Sequence, residues 1–167
     1  FFCSVEELKD PSLHGKAFAV GGGADQRGVI STCSYAARMF GVHSAMPTGQ
    51  ALKLCPQLIL LRGHHAEYEI YSRQVMDILR DISPLVEVVS IDEAFVDVSD
   101  LPQSLEMQAR QIQQRILAQT KLPVSIGGAT SKLVAKIATD AGKSKQRTAE
   151  SPRAITIVLP GTEMSFL

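Results

Sequence analysis

The chain has 167 residues, of which 45% are apolar and 5% aromatic, and its 17 basic side chains balance 17 acidic ones. This apolar content is too high for a disordered chain, and the length suits one core or one core plus a small lobe. No apolar run approaches the roughly 20 residues that a membrane span needs. The three cysteines are widely spaced. They predict reduced thiols in a cytoplasmic protein, and not a disulfide framework or a zinc site.

The zero net charge conceals an uneven distribution. Residues 66–100 contain nine acidic and two basic side chains, whereas residues 1–62 have a net charge of +2 and residues 101–167 a net charge of +5. Solvated helix faces account for most of these charges. The pattern also suits a site in which carboxylates gather cations while neighbouring basic side chains meet anions.

The first part of the sequence predicts a small lobe of short elements. Residues 9–63 are rich in glycine, proline and other small residues. Within them, β-branched and apolar residues predict strands at 17–20 and 29–32. Helices are predicted at 35–40, where a glycine follows, and at 48–54, between two prolines.

From residue 66 onward, apolar residues recur at the spacing of long amphipathic helices. The predicted helices cover 66–81, 105–116 and 131–140, and the predicted strands cover 85–89, 94–98, 124–127 and 154–158. The first two strands are separated by a segment of hairpin length. This order predicts an α+β fold, namely most of a ferredoxin-like βαββαβ unit in which helices cover one face of an antiparallel sheet.

The strongest local feature is the segment 90–97 (SIDEAFVD) at the predicted hairpin. Its adjacent acids, Asp92 and Glu93, would repel each other and lose solvation beside a sheet, so the pair needs a cation. Mg²⁺ is the natural choice, since it binds one or two protein carboxylates and completes its shell with water and phosphate oxygens. Taken alone, such a pair is more often a polar turn, and Asp97 is interpreted as structural.

Other side chains that could bind a ligand lie elsewhere in the sequence. Tyr35 and Arg38 lie three residues apart on a predicted helix and therefore share a face, from which a hydroxyl and a guanidinium can meet phosphate oxygens. A tyrosine docked on the core beside a solvated arginine would give the same pattern. The pair His64 and His65 has no metal-ligand spacing to any cysteine and is interpreted as a solvated helix start.

Three lysines follow in the helix predicted over 131–140 and just after it. Lys132 and Lys136 share one helix face, and Lys143 follows Gly142, which is interpreted as the C-cap of the helix. A lysine at this place can bind a phosphate as a point charge. Solvated lysines are common, so this pattern alone does not decide the function.

Together these segments resemble the palm and fingers of the Y-family translesion DNA polymerases, most closely the bacterial DNA polymerase IV branch. The resemblance extends from residue 1 to about residue 143. Four stretches carry it in the order and spacing of the family, namely 28–42 (GVISTCSYAARMFGV), 44–48 (SAMPT), 90–97 and 129–140 (ATSKLVAKIATD). It implies a palm made of residues 1–8 and 64–167 and fingers made of residues 9–63.

The resemblance implies error-prone, template-directed DNA synthesis, in which deoxynucleotides are added to a primer by nucleotidyl transfer from deoxynucleoside triphosphates, with two Mg²⁺ ions. Asp92 and Glu93 would hold the metals, with Asp92 bridging them. Phe2 would be the steric gate, whose ring occupies the space of a ribose 2′-hydroxyl. The resemblance also implies that four side chains bind the triphosphate of the incoming nucleotide, namely Thr32, Tyr35, Arg38 and Lys143.

The same resemblance implies a first metal-binding aspartate before Phe1, and a thumb and a little finger after Leu167. The chain is therefore expected to be a catalytic-core fragment that is inactive and prone to associate by itself. A sliding clamp, bound through a segment beyond the chain, is a further expected partner. A membrane is not expected as a partner.

The sequence leaves two alternative functions open. One is a non-catalytic, polymerase-like accessory protein that acts in DNA repair through protein interactions, which the intact Asp92–Glu93 pair argues against. The other is a cyclase-type nucleotidyl transferase on a related palm. The helix that carries Tyr35 and Arg38 argues against this second alternative.

Overall fold

The computed structural model describes residues 1–23, 27–145 and 151–167. They form two compact units. The described part of the first unit comprises residues 1–23, 27–68 and Ser151, and that of the second comprises residues 69–145 and 152–167. This division places residues 1–8 with 9–63, whereas the sequence analysis grouped them with 64–167. The division into palm and fingers stays a prediction.

The first unit is built on a three-stranded sheet. Strand β1 (Phe18–Gly21) lies in the middle, with β2 (Ile30–Cys33) antiparallel on one side and β3 (Ile59–Leu61) parallel on the other. The strands predicted at 17–20 and 29–32 are confirmed with a shift of one residue. Strand β3 was not predicted.

Three helices surround this sheet, α1 (Phe2–Lys9), α2 (Tyr35–Arg38) and α3 (Thr48–Leu54), and a 3₁₀ turn at Pro11–Leu13 follows α1. Ser34 caps α2, because its Oγ accepts a hydrogen bond from the Ala37 N–H at 3.2 Å. The same oxygen accepts from the Phe18 N–H at 3.1 Å and donates to the Lys16 carbonyl at 2.9 Å. Ser34 therefore fixes the start of α2 against β1.

The interior of the first unit is apolar around β1. Phe18, Ala19, Ile30 and Ala37 are fully buried. The three cysteines are free thiols, as predicted, and the structure shows that all three are buried. The carboxylate of Glu6 is also buried, with the residue only 4% exposed. Among the described residues of this unit, it is the charged side chain that lies in the interior.

The second unit contains the long helices. They are α4 (His65–Arg80), whose first four residues belong to the first unit, α5 (Leu105–Thr120), α6 (Lys132–Lys145) and the short α7 (Glu163–Phe166). The strands are β4 (Val86–Ser90), β5 (Glu93–Val96), β6 (Ile126–Gly128) and β7 (Ile155–Ile157). The predicted α+β class is confirmed. Among the described residues of this unit, β4 and β5 pair antiparallel, as predicted. Strands β6 and β7 form a separate pair that is parallel, so the predicted antiparallel arrangement is wrong for these two strands.

The hairpin β4–β5 is anchored by the core between two helices. Met76 and Leu79 of α4 pack with Ile112 and Ile116 of α5, and the inward side chains of the hairpin pack against this cluster. The apolar inner face fixes the strands and leaves the turn between them outside the core. None of the described helices is both long and apolar enough to cross a membrane.

Candidate functional site

The hairpin turn presents the two adjacent carboxylates that the sequence singled out. Strand β4 ends at Ser90, Asp92 lies in the turn, and Glu93 opens β5 opposite Ser90. Ser90 Oγ donates a hydrogen bond of 2.9 Å to Asp92 Oδ1, which orients that carboxylate. Asp92 is exposed and the Glu93 side chain is 41% exposed. Both acids are therefore accessible to a hydrated cation.

Two lysines of α6 bind the carboxylates of this hairpin. Lys136 donates a hydrogen bond from Nζ to Glu93 Oε1, and Lys132 donates one to Glu87 Oε2 on β4. The shared helix face that the sequence predicted for these lysines is thus confirmed. The hydrogen bond to Glu93 is the main cause that raises the pKa of Lys136. An ammonium therefore already balances part of the negative charge at the turn.

The chemistry of this turn fits magnesium. Its two carboxylates are hard oxygen donors, and Mg²⁺ commonly takes only one or two protein carboxylates, with water and substrate phosphates filling the remaining positions. Among the described residues, no three side chains of His, Cys, Asp or Glu lie close enough to form a metal site by themselves. Asp92 and Glu93 are the residues that would hold the metal in this unit.

Asp97, at the other end of β5, has a local structural role. Its Oδ1 accepts hydrogen bonds from the Ser99 N–H at 2.9 Å and the Ser99 hydroxyl at 2.6 Å. These two bonds lower the pKa of the Asp97 carboxyl. This agrees with the interpretation made from the sequence, because the carboxylate caps the turn that follows the strand.

In the first unit, Tyr35 and Arg38 form a pair on α2. The Arg38 guanidinium lies 5.2 Å from the centroid of the Tyr35 ring, so the predicted shared face is confirmed. Burial raises the pKa of the Tyr35 hydroxyl, and the charge of Arg38 only partly opposes this effect. The hydroxyl therefore keeps its proton at neutral pH and can donate a hydrogen bond to an anion. Thr32 is half-buried on β2, the strand before this helix.

Phe2 lies in the first turn of α1 and belongs to an aromatic cluster. Its ring stacks on Tyr68, with centroids 4.2 Å apart and an angle of 13° between the planes. His65 meets Phe2 edge-on at 5.8 Å. The Phe2 side chain is half-buried, so one face is held by the protein while part of the ring stays accessible.

The structure corrects the interpretation of Gly142 as a C-cap. Helix α6 continues to Lys145, so Gly142 is a buried residue inside the helix and Lys143 lies in its last turn. A Cβ at Gly142 would lie 2.3 Å from Thr156 Oγ1 and 2.9 Å from Ala154 Cβ. Glycine is needed here because the segment carrying β7 passes very close to the helix, and not because the helix ends.

Glu6 was not predicted from the sequence, and His64 has a partner that the sequence did not predict. The Glu6 carboxylate accepts hydrogen bonds from the Tyr68 hydroxyl and from His64 Nδ1, so His64 is not simply a solvated helix start. Glu6 is followed by Glu7, and nothing in this local sequence distinguishes the carboxylate that becomes buried. Only the approach of α1 to the start of α4 brings the three side chains together.

The comparisons with known proteins identify the family. Residues 1–140 match the impB/mucB/samB family, so the chain belongs to that family, and this confirms the resemblance to the Y-family polymerases. The chain is 42% identical over 170 residues to DNA polymerase IV of Listeria monocytogenes, covering all of this chain and 46% of that protein. It is 44% identical over 172 residues to DNA polymerase IV of Streptomyces coelicolor, covering 34% of that protein. The chain thus spans less than half the length of these curated relatives.

Solved structures agree with this placement. The crystal structure of DinB from Sulfolobus solfataricus matches with a TM-score of 0.88 and 32% identity, over the whole of this chain and 48% of that one. An insertion ternary complex of Dbh DNA polymerase matches with the same TM-score and identity. The two units described above therefore have the fold of about half of such a polymerase.

Proposed function

We propose that this chain supplies the catalytic palm and the fingers of a translesion DNA polymerase, which adds deoxynucleotides to a primer on template DNA. One observation carries the proposal: the similarity to proteins named DNA polymerase IV extends over the whole chain at 42% identity. The adjacent acids at the hairpin turn and the Tyr35–Arg38 pair add chemistry that suits such a reaction.

In the second unit, Asp92 and Glu93 hold the metal in this proposal. Bound Mg²⁺ would neutralise the charge that develops on the triphosphate and on the attacking and leaving oxygens. Lys136 keeps the Glu93 carboxylate oriented and limits its repulsion with Asp92. Lys143, in the last turn of the same helix, contributes a positive charge for the triphosphate. Two metal ions and these roles stay proposals.

In the first unit, Tyr35 and Arg38 bind the triphosphate. Arg38 is exposed and can bind phosphate oxygens with its forked N–H groups, and the Tyr35 hydroxyl donates beside it. Thr32 lies at the end of the preceding strand and adds a hydroxyl. Phe2 meets the sugar, and its ring leaves no room for a 2′-hydroxyl group.

The proposal is tested with the protein expressed from its whole gene. We expect it to extend a primer with all four deoxynucleotides in the presence of Mg²⁺, and to lose that extension when EDTA is added. It should also extend past a template base that blocks a replicative polymerase. A protein that binds primer–template but extends no primer with Mg²⁺ or Mn²⁺ would contradict the proposal and favour the accessory-protein alternative.

A sliding clamp as a partner and a cytoplasmic location stay predictions.

A further inference from the structure

Glu6 is a buried carboxylate that none of the roles proposed above uses. The residue is 4% exposed, and its Oε1 accepts hydrogen bonds from the Tyr68 hydroxyl at 2.5 Å and from His64 Nδ1 at 2.9 Å. Lys9 Nζ lies 3.7 Å from its other oxygen. A buried charge is expensive unless it is paired and hydrogen-bonded, so this carboxylate is held by a dedicated set of partners.

Tyr68 connects this carboxylate to the ring of Phe2. Glu6 and Phe2 are four residues apart on α1 and therefore share a face of that helix. Tyr68, which is fully buried, touches both: its hydroxyl binds Glu6, and its ring stacks on Phe2 at 4.2 Å with an angle of 13°. One tyrosine thus links two side chains of the same helix face.

Other contacts leave the Tyr68 ring little freedom. His65 meets it edge-on at 5.8 Å. Phe1 also meets it edge-on, with ring centroids 6.5 Å apart. The Tyr68 ring is therefore packed on several sides, and the hydrogen bond to Glu6 fixes its hydroxyl end.

We propose that Glu6 is a positioning residue, which acts through Tyr68 to hold the Phe2 ring where it rejects a ribose 2′-hydroxyl. This inference rests on the proposed function and on the proposed role of Phe2. Steric exclusion requires the excluding ring to be held within about 0.5 Å of its working position by locked neighbours. A Tyr68 ring that has lost its anchor can tilt, and the stacked Phe2 ring can then move away from the sugar.

The ionised form of Glu6 suits this role. Burial alone would raise its pKa, but the hydrogen bonds from Tyr68 and His64 and the charge of Lys9 outweigh burial and lower it. Burial raises the pKa of Tyr68, and Glu6 adds to that effect, so the proton stays on the tyrosine oxygen. The bond is therefore an O–H donor facing a charged acceptor, which is stronger than a neutral pair.

The first experiment measures selection of the sugar by the protein expressed from its whole gene. The ratio of kcat/KM for a deoxynucleotide to that for the matching ribonucleotide is compared for the wild type, Tyr68→Phe, Glu6→Gln and Glu69→Gln. Tyr68→Phe removes one oxygen and keeps the ring, so it tests the link even if Glu6→Gln folds poorly. Glu69→Gln is the matched control, because Glu69 follows Tyr68 on α4 and is exposed, so this variant loses one carboxylate charge next to Tyr68 at the surface.

We expect the ratio to fall about tenfold in Tyr68→Phe and in Glu6→Gln, which is the effect of losing or weakening one hydrogen bond to a charged group. The fall should come mainly from a lower KM for the ribonucleotide, while the control stays at the wild-type ratio. A purely structural role would lower both efficiencies together. An unchanged ratio in folded Tyr68→Phe overturns the proposal.

A second measurement does not depend on polymerase activity. The aromatic ¹³C–¹H signals of Phe2, assigned with Phe2→Leu, report the position of its ring under the ring current of Tyr68. We expect these signals to shift in Tyr68→Phe and Glu6→Gln but not in Glu69→Gln. Signals that do not move overturn the link from Glu6 to Phe2 whatever the enzyme does. A wild type that inserts no nucleotide, with signals that do move, would instead refute the proposed function and with it the role in sugar selection.

Discussion

Lys136 on α6 donates a hydrogen bond to Glu93, one of the two carboxylates proposed to hold magnesium. The same ammonium lies 3.8 Å from Asp140 Oδ1, one turn further along the helix. A neighbouring pair, Lys132 on the same helix with Glu87 on β4, repeats the arrangement away from the turn. Helix α6 and the hairpin are therefore joined by two lysine–glutamate pairs, of which only one includes a proposed metal ligand.

This similarity gives a controlled test of the metal site. Asp92→Asn and Glu93→Gln remove one negative charge each while keeping the shape of the side chain. We expect either change to lower primer extension by about a hundredfold or more, because metal-assisted stabilisation of charge is worth several kcal/mol. DNA binding, measured by fluorescence anisotropy, should stay near the wild-type value.

Glu87→Gln is the control for this test. It breaks the Lys132–Glu87 pair, whose side chains are 61% and 58% exposed, so little stability depends on it. We expect this variant to extend primers at a rate close to that of the wild type. Equal activity of Glu93→Gln and Glu87→Gln would show that Glu93 holds no essential metal.

A second prediction concerns Phe2. Replacing it with alanine removes the ring that stacks on Tyr68 and opens space beside the sugar. We expect ribonucleotide insertion to rise ten- to hundredfold relative to deoxynucleotide insertion, since steric overlap costs about 1–3 kcal/mol. Steady-state insertion kinetics with matched nucleotides measure this ratio. Phe40→Ala, at a site that is 45% exposed, should leave the ratio unchanged, and an unchanged ratio in Phe2→Ala would place the gate elsewhere.

The sequence predicted helices and strands best where neighbouring residues determine their ends. Helix α3 was predicted with the right ends because Pro47 and Pro56 flank it. The β4–β5 hairpin was predicted from two β-rich runs around a short polar turn. Helix α1 was missed because its buried face includes Ser4 and Glu6, and this interrupts the apolar spacing that marks a helix.

The contacts of the candidate site could likewise be predicted only where they join residues close in the sequence. The pairing of Tyr35 with Arg38 follows from their spacing along one helix, and it could be predicted. The bond between Lys136 and Glu93 joins residues 43 positions apart in the chain, and only tertiary packing makes it. The role of Gly142 was misread for a similar reason, since what forbids a side chain there is Thr156 on another element.

Gly142 gives a third prediction. In an ordinary helix interior, Gly→Ala stabilises by up to about 1 kcal/mol. At Gly142 the added Cβ would lie 2.3 Å from Thr156 Oγ1, so we expect Gly142→Ala to lower the free energy of unfolding by about 1–3 kcal/mol. Urea unfolding followed by circular dichroism measures the change.

Two further variants separate crowding from helix propensity. Gly49, in α3, has no atom within 4 Å of a built Cβ, so Gly49→Ala should be neutral or stabilising. Adding Thr156→Ala to Gly142→Ala removes the clashing oxygen and should restore part of the lost stability. If Gly142→Ala proved as stable as Gly49→Ala, the close approach of β7 to α6 would be wrong.

The last prediction is the pH dependence that Glu6 gives to folding. Its pKa in the folded protein lies below the ordinary value of 4.5, because the bonds from Tyr68 and His64 and the charge of Lys9 outweigh burial. A carboxyl with a lowered folded pKa stabilises the fold above its unfolded pKa, and this contribution is lost as the pH falls through the folded pKa. The wild type should therefore exceed Glu6→Gln in unfolding free energy near neutral pH, and this difference should shrink below about pH 4.5. Urea unfolding from about pH 7 to about pH 3 measures it, with Glu69→Gln as the exposed control. A difference that stayed constant over this range would mean that the charge of Glu6 contributes nothing to folding.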